Sequence, residues 1–207
     1  MELKVFNKNP YEQNTYIYYE PETKVGVIID PGFSKTQIVK ALDEFDIKAI
    51  ILTHGHHDHI FSLQKVVELT PNAKVFAHEM EKELLADPTL NLSNPYGEAK
   101  DVKAAADTYV NEDEVISAGN ISLRVIYTPG HTIGGMCLYD CENGVLFSGD
   151  TLFKENVGRT DLPTGNTEQL TESIKTKLFV LPPETKVYSG HGEPTTIGHE
   201  IKNNVYV

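Results

Sequence analysis

Cysteine is scarce: only Cys137 and Cys141 occur in 207 residues, close together and far along the chain from the histidine cluster discussed below. That excludes the disulfide-dense framework of a small secreted domain and points to a reduced pair. Cys137 lies inside the apolar run Met136-Cys137-Leu138-Tyr139, where it reads as a small strand residue and not as a metal ligand. Basic residues are short as well, with 18 Lys and Arg against 30 Asp and Glu and a net charge of −12. Phosphate backbones require a basic stripe, so nucleic acid is not expected as a partner, and an anionic membrane surface is disfavoured on the same ground. No apolar run reaches membrane-spanning length. The start of the chain, Met1-Glu2-Leu3-Lys4-Val5-Phe6, has no basic stretch leading into an apolar one and no cleavage site. The expectation is a cytoplasmic protein without a membrane partner. An apolar fraction of 40% and a charged fraction of 23% describe an ordinary globular chain, and residues 1–207 fit one domain with a substantial core.

What is abundant is histidine in one place. The run Thr53-His54-Gly55-His56-His57-Asp58-His59 packs four imidazoles and a carboxylate behind the apolar segment Ala49-Ile50-Ile51-Leu52. Imidazole and carboxylate are the ligand set of borderline divalent metals such as zinc. If the chain leaves the strand still extended, alternate residues face one side, so His54 and His56 can share a metal while His57 points away. The residues from Ile60 to Leu69 carry apolar side chains at helical spacing, and a helix starting near Asp58 would turn Asp58 and His59 towards a second, adjacent point. His57 is left as a donor behind the ligands.

Beta-branched and aromatic runs at residues 3–6, 14–19 and 25–29, the last stopping at Asp30-Pro31-Gly32, predict strands. A helix is predicted over 34–45, with Ser34 as its N-cap. A strand at 74–77 and a helix from 79 follow. Residues 87–110, with Pro88, Asn91, Asn94, Pro95 and Gly97, read as a long loop of the kind that covers a site. Strands are predicted again at 121–127, 135–139, 145–147 and 186–188, and a helix over 167–179. Strand-rich starts followed by helix and strand in both halves suit two packed sheets with helices outside.

Three of the later strands end in a turn that offers a ligand behind a glycine: Pro129-Gly130-His131, Ser148-Gly149-Asp150 and Ser189-Gly190-His191. Glycine lets the backbone turn sharply and approach closely. One Gly-His alone is merely a turn, but four strand-end sites on one chain, each bearing histidine or aspartate, point together to a metal centre. His78 and His199 lie outside the pattern and read as hydrogen-bonding or surface histidines.

The combination resembles the metallo-β-lactamase superfamily, whose pattern is His-x-His-x-Asp-His followed by lone His, Asp and His. The resemblance runs from Asp30-Pro31-Gly32 to Gly190-His191-Gly192. It implies an α+β fold, a four-layer αβ/βα sandwich of two mixed sheets with helices outside and the metal site at one edge. It also implies two divalent ions, zinc foremost with iron or manganese as options: His54, His56 and His131 on the first, Asp58, His59 and His191 on the second, and Asp150 bridging. Within the superfamily the stretch from Ser148 to Pro163, with Thr196-Ile197-Gly198-His199-Glu200, is similar to the short bacterial glyoxalase II branch. Common zinc β-lactamases carry cysteine where this chain has Asp150, which argues against antibiotic hydrolysis. Classical glyoxalase II has a further helical domain that helps bind glutathione, and Val207 comes soon after the last ligand.

The implied activity is hydrolysis of a small anionic thiolester, such as S-lactoylglutathione or a related acyl-thiol, with Asp58 orienting the nucleophile and accepting its proton. Arg159, just after the bridging ligand, can hold an anionic substrate group through its planar fork, or brace the loop against Asp161 or Asp150. Lys154 has a weaker claim to the same role. Other readings stay open: a mononuclear iron persulfide dioxygenase on His56, His131 and Asp150, a lactone or other ester hydrolase, and a metal- or partner-binding module without turnover.

Overall fold

The computed structural model describes residues 1–94, 96–97 and 101–207. The first half supplies β1 (Glu2–Phe6), β2 (Thr15–Tyr19), β3 (Val25–Ile29), α1 (Lys35–Leu42), β4 (Asp46–Ile51), α2 (His57–Ile60), α3 (Leu63–Leu69), β5 (Lys74–His78), α4 (Lys82–Ala86) and β6 (Thr108–Val110). These six strands form one sheet in sequential order, antiparallel through β3 and parallel from β3 to β6. The second half supplies β7 (Val115–Ala118), β8 (Ile121–Tyr127), β9 (Met136–Asp140), β10 (Val145–Gly149), a small hairpin β11 and β12 (Leu152–Phe153, Asn156–Val157), α5 (Thr167–Ser173), β13 (Lys186–Ser189), β14 (Thr195–Thr196) and α6 (Ile197–Asn203). Its sheet runs β14-β13-β10-β9-β8-β7, with β10 and β13 parallel.

Alternation along nearly continuous apolar strands creates the layers, because both faces of each sheet are covered. In β2, Tyr16 and Tyr18 face the other sheet while Ile17 faces the helices; Val27 and Ile29 divide from Ile28 in the same way. In β9 and β10, Met136, Leu138 and Phe147 enter the layer between the sheets, whereas Cys137, Tyr139 and Leu146 meet Leu170 and Ile174 on the outer side. Each fully buried aliphatic side chain contributes roughly 1.5–3 kcal/mol to holding the layers together. The expected α+β αβ/βα sandwich is therefore the observed one. Among the described residues, no helix is long and apolar enough to cross a membrane.

Local expectations fail in instructive places. The helix expected through Leu69 is broken after Ile60, because the Ser62 N–H goes to the Pro31 carbonyl at 2.8 Å and the Ser62 hydroxyl to that of Gly32. Ser34 does stand at the N-cap of α1, but its side chain makes no cap bond and accepts from Asn9 Nδ2 instead. The excursion 87–110 ends in β6, a strand the sequence reading missed; Pro95, Glu98, Ala99 and Lys100 lie outside the described residues. Strands β3, β4, β8, β10 and β13 all end at the same edge of the sandwich, and that edge carries every histidine and aspartate singled out above as a ligand.

Candidate metal centre

His54 and His56 leave the end of β4, Asp58 and His59 lie in the first turn of α2, and His131, Asp150 and His191 follow β8, β10 and β13. The register between β10 and β13 slips at Ser148, a bulge that re-aims the chain just before Asp150. Gly149 takes a φ of +48° and Gly130 one of +135°, as sharp turns before a ligand require. Gly190 is needed for closeness instead: a Cβ there would stand 2.0 Å from Asp150 Oδ1.

Six of these side chains, separated by up to 137 positions, thereby meet in two groups, and Asp30 converges with His54 and His59 in a third. His54, His56 and His131 offer ring nitrogens that converge within 4.8 Å of one another, and so do the ligand atoms of Asp58, His59 and His191. Asp150 lies between them, Oδ1 at 3.4 Å from His59 Nε2 and Oδ2 at 3.6 Å from His131 Nε2 and 3.5 Å from His191 Nε2. Asp58 Oδ2 is 3.2 Å from His191 Nε2.

The back of each ring decides which nitrogen faces inward. Nδ1–H of His131 donates to the Arg159 carbonyl at 2.7 Å, that of His191 to the Tyr11 carbonyl at 2.8 Å, and that of His59 to Asp30 Oδ2 at 2.9 Å. Thr53 Oγ1 donates to Asp30 and is 3.1 Å from His54 Nδ1, from which it can accept. In a neutral imidazole, a proton on Nδ1 leaves a lone pair on Nε2. Inward nitrogens crowd together, His56 Nδ1 at 3.0 Å from His131 Nε2 and His59 Nε2 at 3.3 Å from His191 Nε2; with both rings neutral the second pair sets lone pair against lone pair, which a proton on His59 or a cation between the rings relieves. His54 Nε2 and Asp150 Oδ1 are buried without any hydrogen-bond partner, which costs about 1–3 kcal/mol per group when nothing else binds there. The donor set fits divalent metal.

Burial, reinforced by neighbouring imidazoles, pushes His54 and His56 well below the usual histidine range, and burial lowers His131 despite the Asp150 charge. His59 behaves oppositely: burial works against its charge, but Asp150, Asp58 and Asp30 outweigh it and push the ring up to about 10. His191 is raised, its burial outweighed by the bond to Asp58 and the Asp150 charge. Burial pushes the Asp58 carboxyl up, yet His59 and His191 hold it well below the carboxylate range.

A pocket of about 410 Å³ opens over the two groups, walled by Tyr11, Leu92, Phe153, Val157 and Leu162. Leu92 belongs to the excursion expected to cover a site. Arg159 also lines the pocket, but its guanidinium is held by Asp161 through two bonds of 2.8 Å, the bracing alternative weighed above; no bond joins it to Asp150. Lys154 pairs with Glu193 at 2.7 Å on the surface. The donor role expected of His57 is not found: its Nδ1 has no partner, and the ring stands edge-on to Phe33 and Tyr11. His78 stacks on Tyr127 and accepts from the Met80 N–H, and His199 bonds Glu155, so both match expectation. The sequence reading missed Asp30, although Asp30-Pro31-Gly32 is itself a strand-end turn with an acidic residue, and it missed the bracing by Thr53 and Tyr11, which no motif marks.

The sequence profile described as the metallo-beta-lactamase superfamily matches residues 9–191. The hydroxyacylglutathione hydrolase GloC of Haemophilus influenzae is 29% identical over 210 residues, covering 100% of this chain and 98% of that one. The crystal structure of the BLEG-1 B3 metallo-beta-lactamase is 35% identical and covers 99% of both chains with a TM-score of 0.92. TTHA1623, solved in a di-iron-bound form, is 31% identical over 99% of this chain and 100% of its own, with a TM-score of 0.84. Profile, layered fold and the convergence of histidine and aspartate at one edge agree: the chain belongs to the metallo-β-lactamase superfamily.

Proposed function

We propose that the protein is a two-metal hydrolase that cleaves a small anionic thiolester, an acylated glutathione or a related acyl-thiol. The observation that carries this reading is Asp150, one carboxylate within 3.6 Å of His59, His131 and His191 and thus facing both groups. His54, His56 and His131 would hold the first ion, Asp58, His59 and His191 the second, and Asp150 would bridge. Zinc suits this mixed set, iron and manganese accept it, and TTHA1623 in its di-iron form supports iron as a real option. Bound, such a pair supplies hydroxide at neutral pH and polarises a carbonyl oxygen.

The chain's own groups do the rest. Asp58, kept ionised beside His191, orients the attacking water and takes its proton at the carboxylate. Leu92, Phe153, Val157 and Leu162 exclude water from the acyl group, and Arg159 at the rim faces the anionic end. A thiolate leaves without a strong general acid, which suits a pocket where His56, His131 and His191 would be taken up as ligands and only the His57 ring is left over. The likeness to GloC, by its description a hydroxyacylglutathione hydrolase, supports the substrate class.

A second reading, β-lactam opening, was set aside because of Asp150 but returns on the BLEG-1 likeness. Metal-loaded protein assayed on a panel of thiolesters including S-lactoylglutathione, alongside β-lactams, separates them. We expect thiol release with two metals per chain and no oxygen uptake. Failure on every thiolester overturns the first reading. Ring opening of β-lactams under those conditions favours the second, and persulfide-dependent oxygen uptake with one iron per chain favours the dioxygenase.

A further inference from the structure

Glu81 is a carboxylate with no place in the chemistry above, and it is completely buried. The surrounding sequence, Glu79-Met80-Glu81-Lys82-Glu83, is a charged run at the start of the helix predicted from 79, and it continues into α4. Glu81 nevertheless turns inward. Its Oε2 accepts the Gly55 N–H at 3.1 Å, while Oε1 accepts the Gly134 N–H at 2.8 Å and the Thr132 hydroxyl. Gly55 is the residue between His54 and His56, and Thr132 and Gly134 follow His131. One carboxylate therefore ties the loop bearing two histidines of the first triad to the loop bearing the third, although the loops leave different sheets.

The fit around it is close on both sides. A Cβ on Gly134 would stand 2.5 Å from Glu81 N, and one on Gly55 would stand 2.7 Å from Leu84 Cδ2. All three partners are donors, which an acceptor-only carboxylate satisfies without rearrangement. Burial raises the Glu81 carboxyl, and the bonds from Thr132, Gly134 and Gly55 oppose that.

The geometry points to Glu81 as a positioning residue that sets the spacing of His54, His56 and His131, and so the affinity of the first metal site but not of the second. This rests on those histidines being ligands. Three neutral imidazoles attract a cation only by converging on it, so a small splay of the two loops weakens binding directly.

Glu81→Gln keeps the volume and tests it. In its better orientation the amide oxygen keeps Thr132 and Gly134, and the NH2 faces the Gly55 N–H, donor against donor. Cobalt(II) titration of metal-stripped protein reads both sites, with His54→Ala and His191→Ala assigning the two steps. Glu81→Gln should weaken the first step about 10–100-fold and leave the second unchanged. Thr132→Val removes one donor without touching the charge and should weaken the same step by less. Asp140→Asn is the control, a buried carboxylate that accepts the Tyr18 hydroxyl at 2.8 Å at the far end of β9. It should lower the melting temperature and leave both steps intact. A Glu81→Gln protein that melts earlier but binds cobalt as the parent does, or is weakened equally at both steps, overturns the inference. Because the readout is metal binding, a failed thiolester assay does not touch it; absence of any cobalt binding by the parent chain removes the ligand reading beneath it.

Discussion

The triad of His54, His56 and His131 is buried throughout and contains no carboxylate, whereas that of Asp58, His59 and His191 carries Asp58 and leaves the His191 side chain 26% exposed. Electrostatics divides them further. Burial drives His54, His56 and His131 toward the neutral form, while Asp58, Asp150 and Asp30 raise His59. One triad offers lone pairs in the right places with little charge; the other offers charge near solvent. A site built from geometry depends on what fixes its loops, and a site built from charge depends on which nitrogen faces the ion. The two should fail in different ways.

The largest effect comes from removing what they share. Asp150→Ala takes away a carboxylate that lies within 3.6 Å of members of both triads, so the distinction between them collapses. We expect turnover (kcat/KM) to fall by about 10³-fold, roughly 4 kcal/mol of transition-state stabilisation. Metal content should fall below two per chain. An Asp150→Ala protein that keeps both metals and most of its turnover would show that the triads work independently.

Asp30→Asn should strike mainly the second triad, by a route that geometry cannot repair. Asp30 accepts from Thr53 N and Thr53 Oγ1 at 2.7 Å each and from His59 Nδ1 at 2.9 Å. Asparagine can keep the Thr53 N–H on its oxygen, and the Thr53 hydroxyl can rotate to accept from the new NH2. His59 has no such freedom: facing a donor, its Nδ1 must become the acceptor, which moves the proton to Nε2 and removes the inward lone pair. A loss of about 10–100-fold in affinity at the second metal step, with the first largely kept, is the expected titration result. Equal loss at both steps would mean that Thr53, through its contact with His54, transmits the change to the first triad as well.

These braces mark the boundary of what the sequence discloses. The seven ligand candidates were legible because each sits where an apolar strand stops, His131, Asp150 and His191 directly behind glycine and the other four in one dense run. Asp30 shares that placement and was readable in principle. Glu81 was not: its partners are 26 to 53 positions away, and in the helix predicted from 79 its neighbours Glu79, Lys82 and Glu83 give no sign of an inward-facing carboxylate. The layered fold followed from the order of elements, strand-rich starts and then helix and strand in both halves, together with the family resemblance. Strand β6 escaped because it is only three residues, Thr108–Val110, paired with β5 across a long excursion. The break between α2 and α3 escaped because the helical apolar spacing continues through it, and only the tertiary capture of Ser62 by Pro31 and Gly32 interrupts the ladder.

The smallest expected effect lies at the rim, outside both triads, and it sharpens the comparison by separating substrate from metal. The Arg159 guanidinium is well exposed and already paired with Asp161, so a substrate carboxylate must displace one anion to gain the same contact, a modest exchange at an exposed position. Arg159→Ala should therefore raise KM for an anionic thiolester by only about 3–10-fold, leave kcat unchanged, and leave a neutral thiolester unaffected. Asp161→Asn, which releases the fork, should lower KM for the anionic substrate. Metal titration should register neither change, because the contact of this segment with the first triad is the Arg159 main-chain carbonyl on His131, which both substitutions preserve. Unchanged KM for both substrates in Arg159→Ala would assign the side chain to bracing the loop alone. A fall in kcat instead would mean that the pair with Asp161 helps hold that carbonyl, and with it His131, in place.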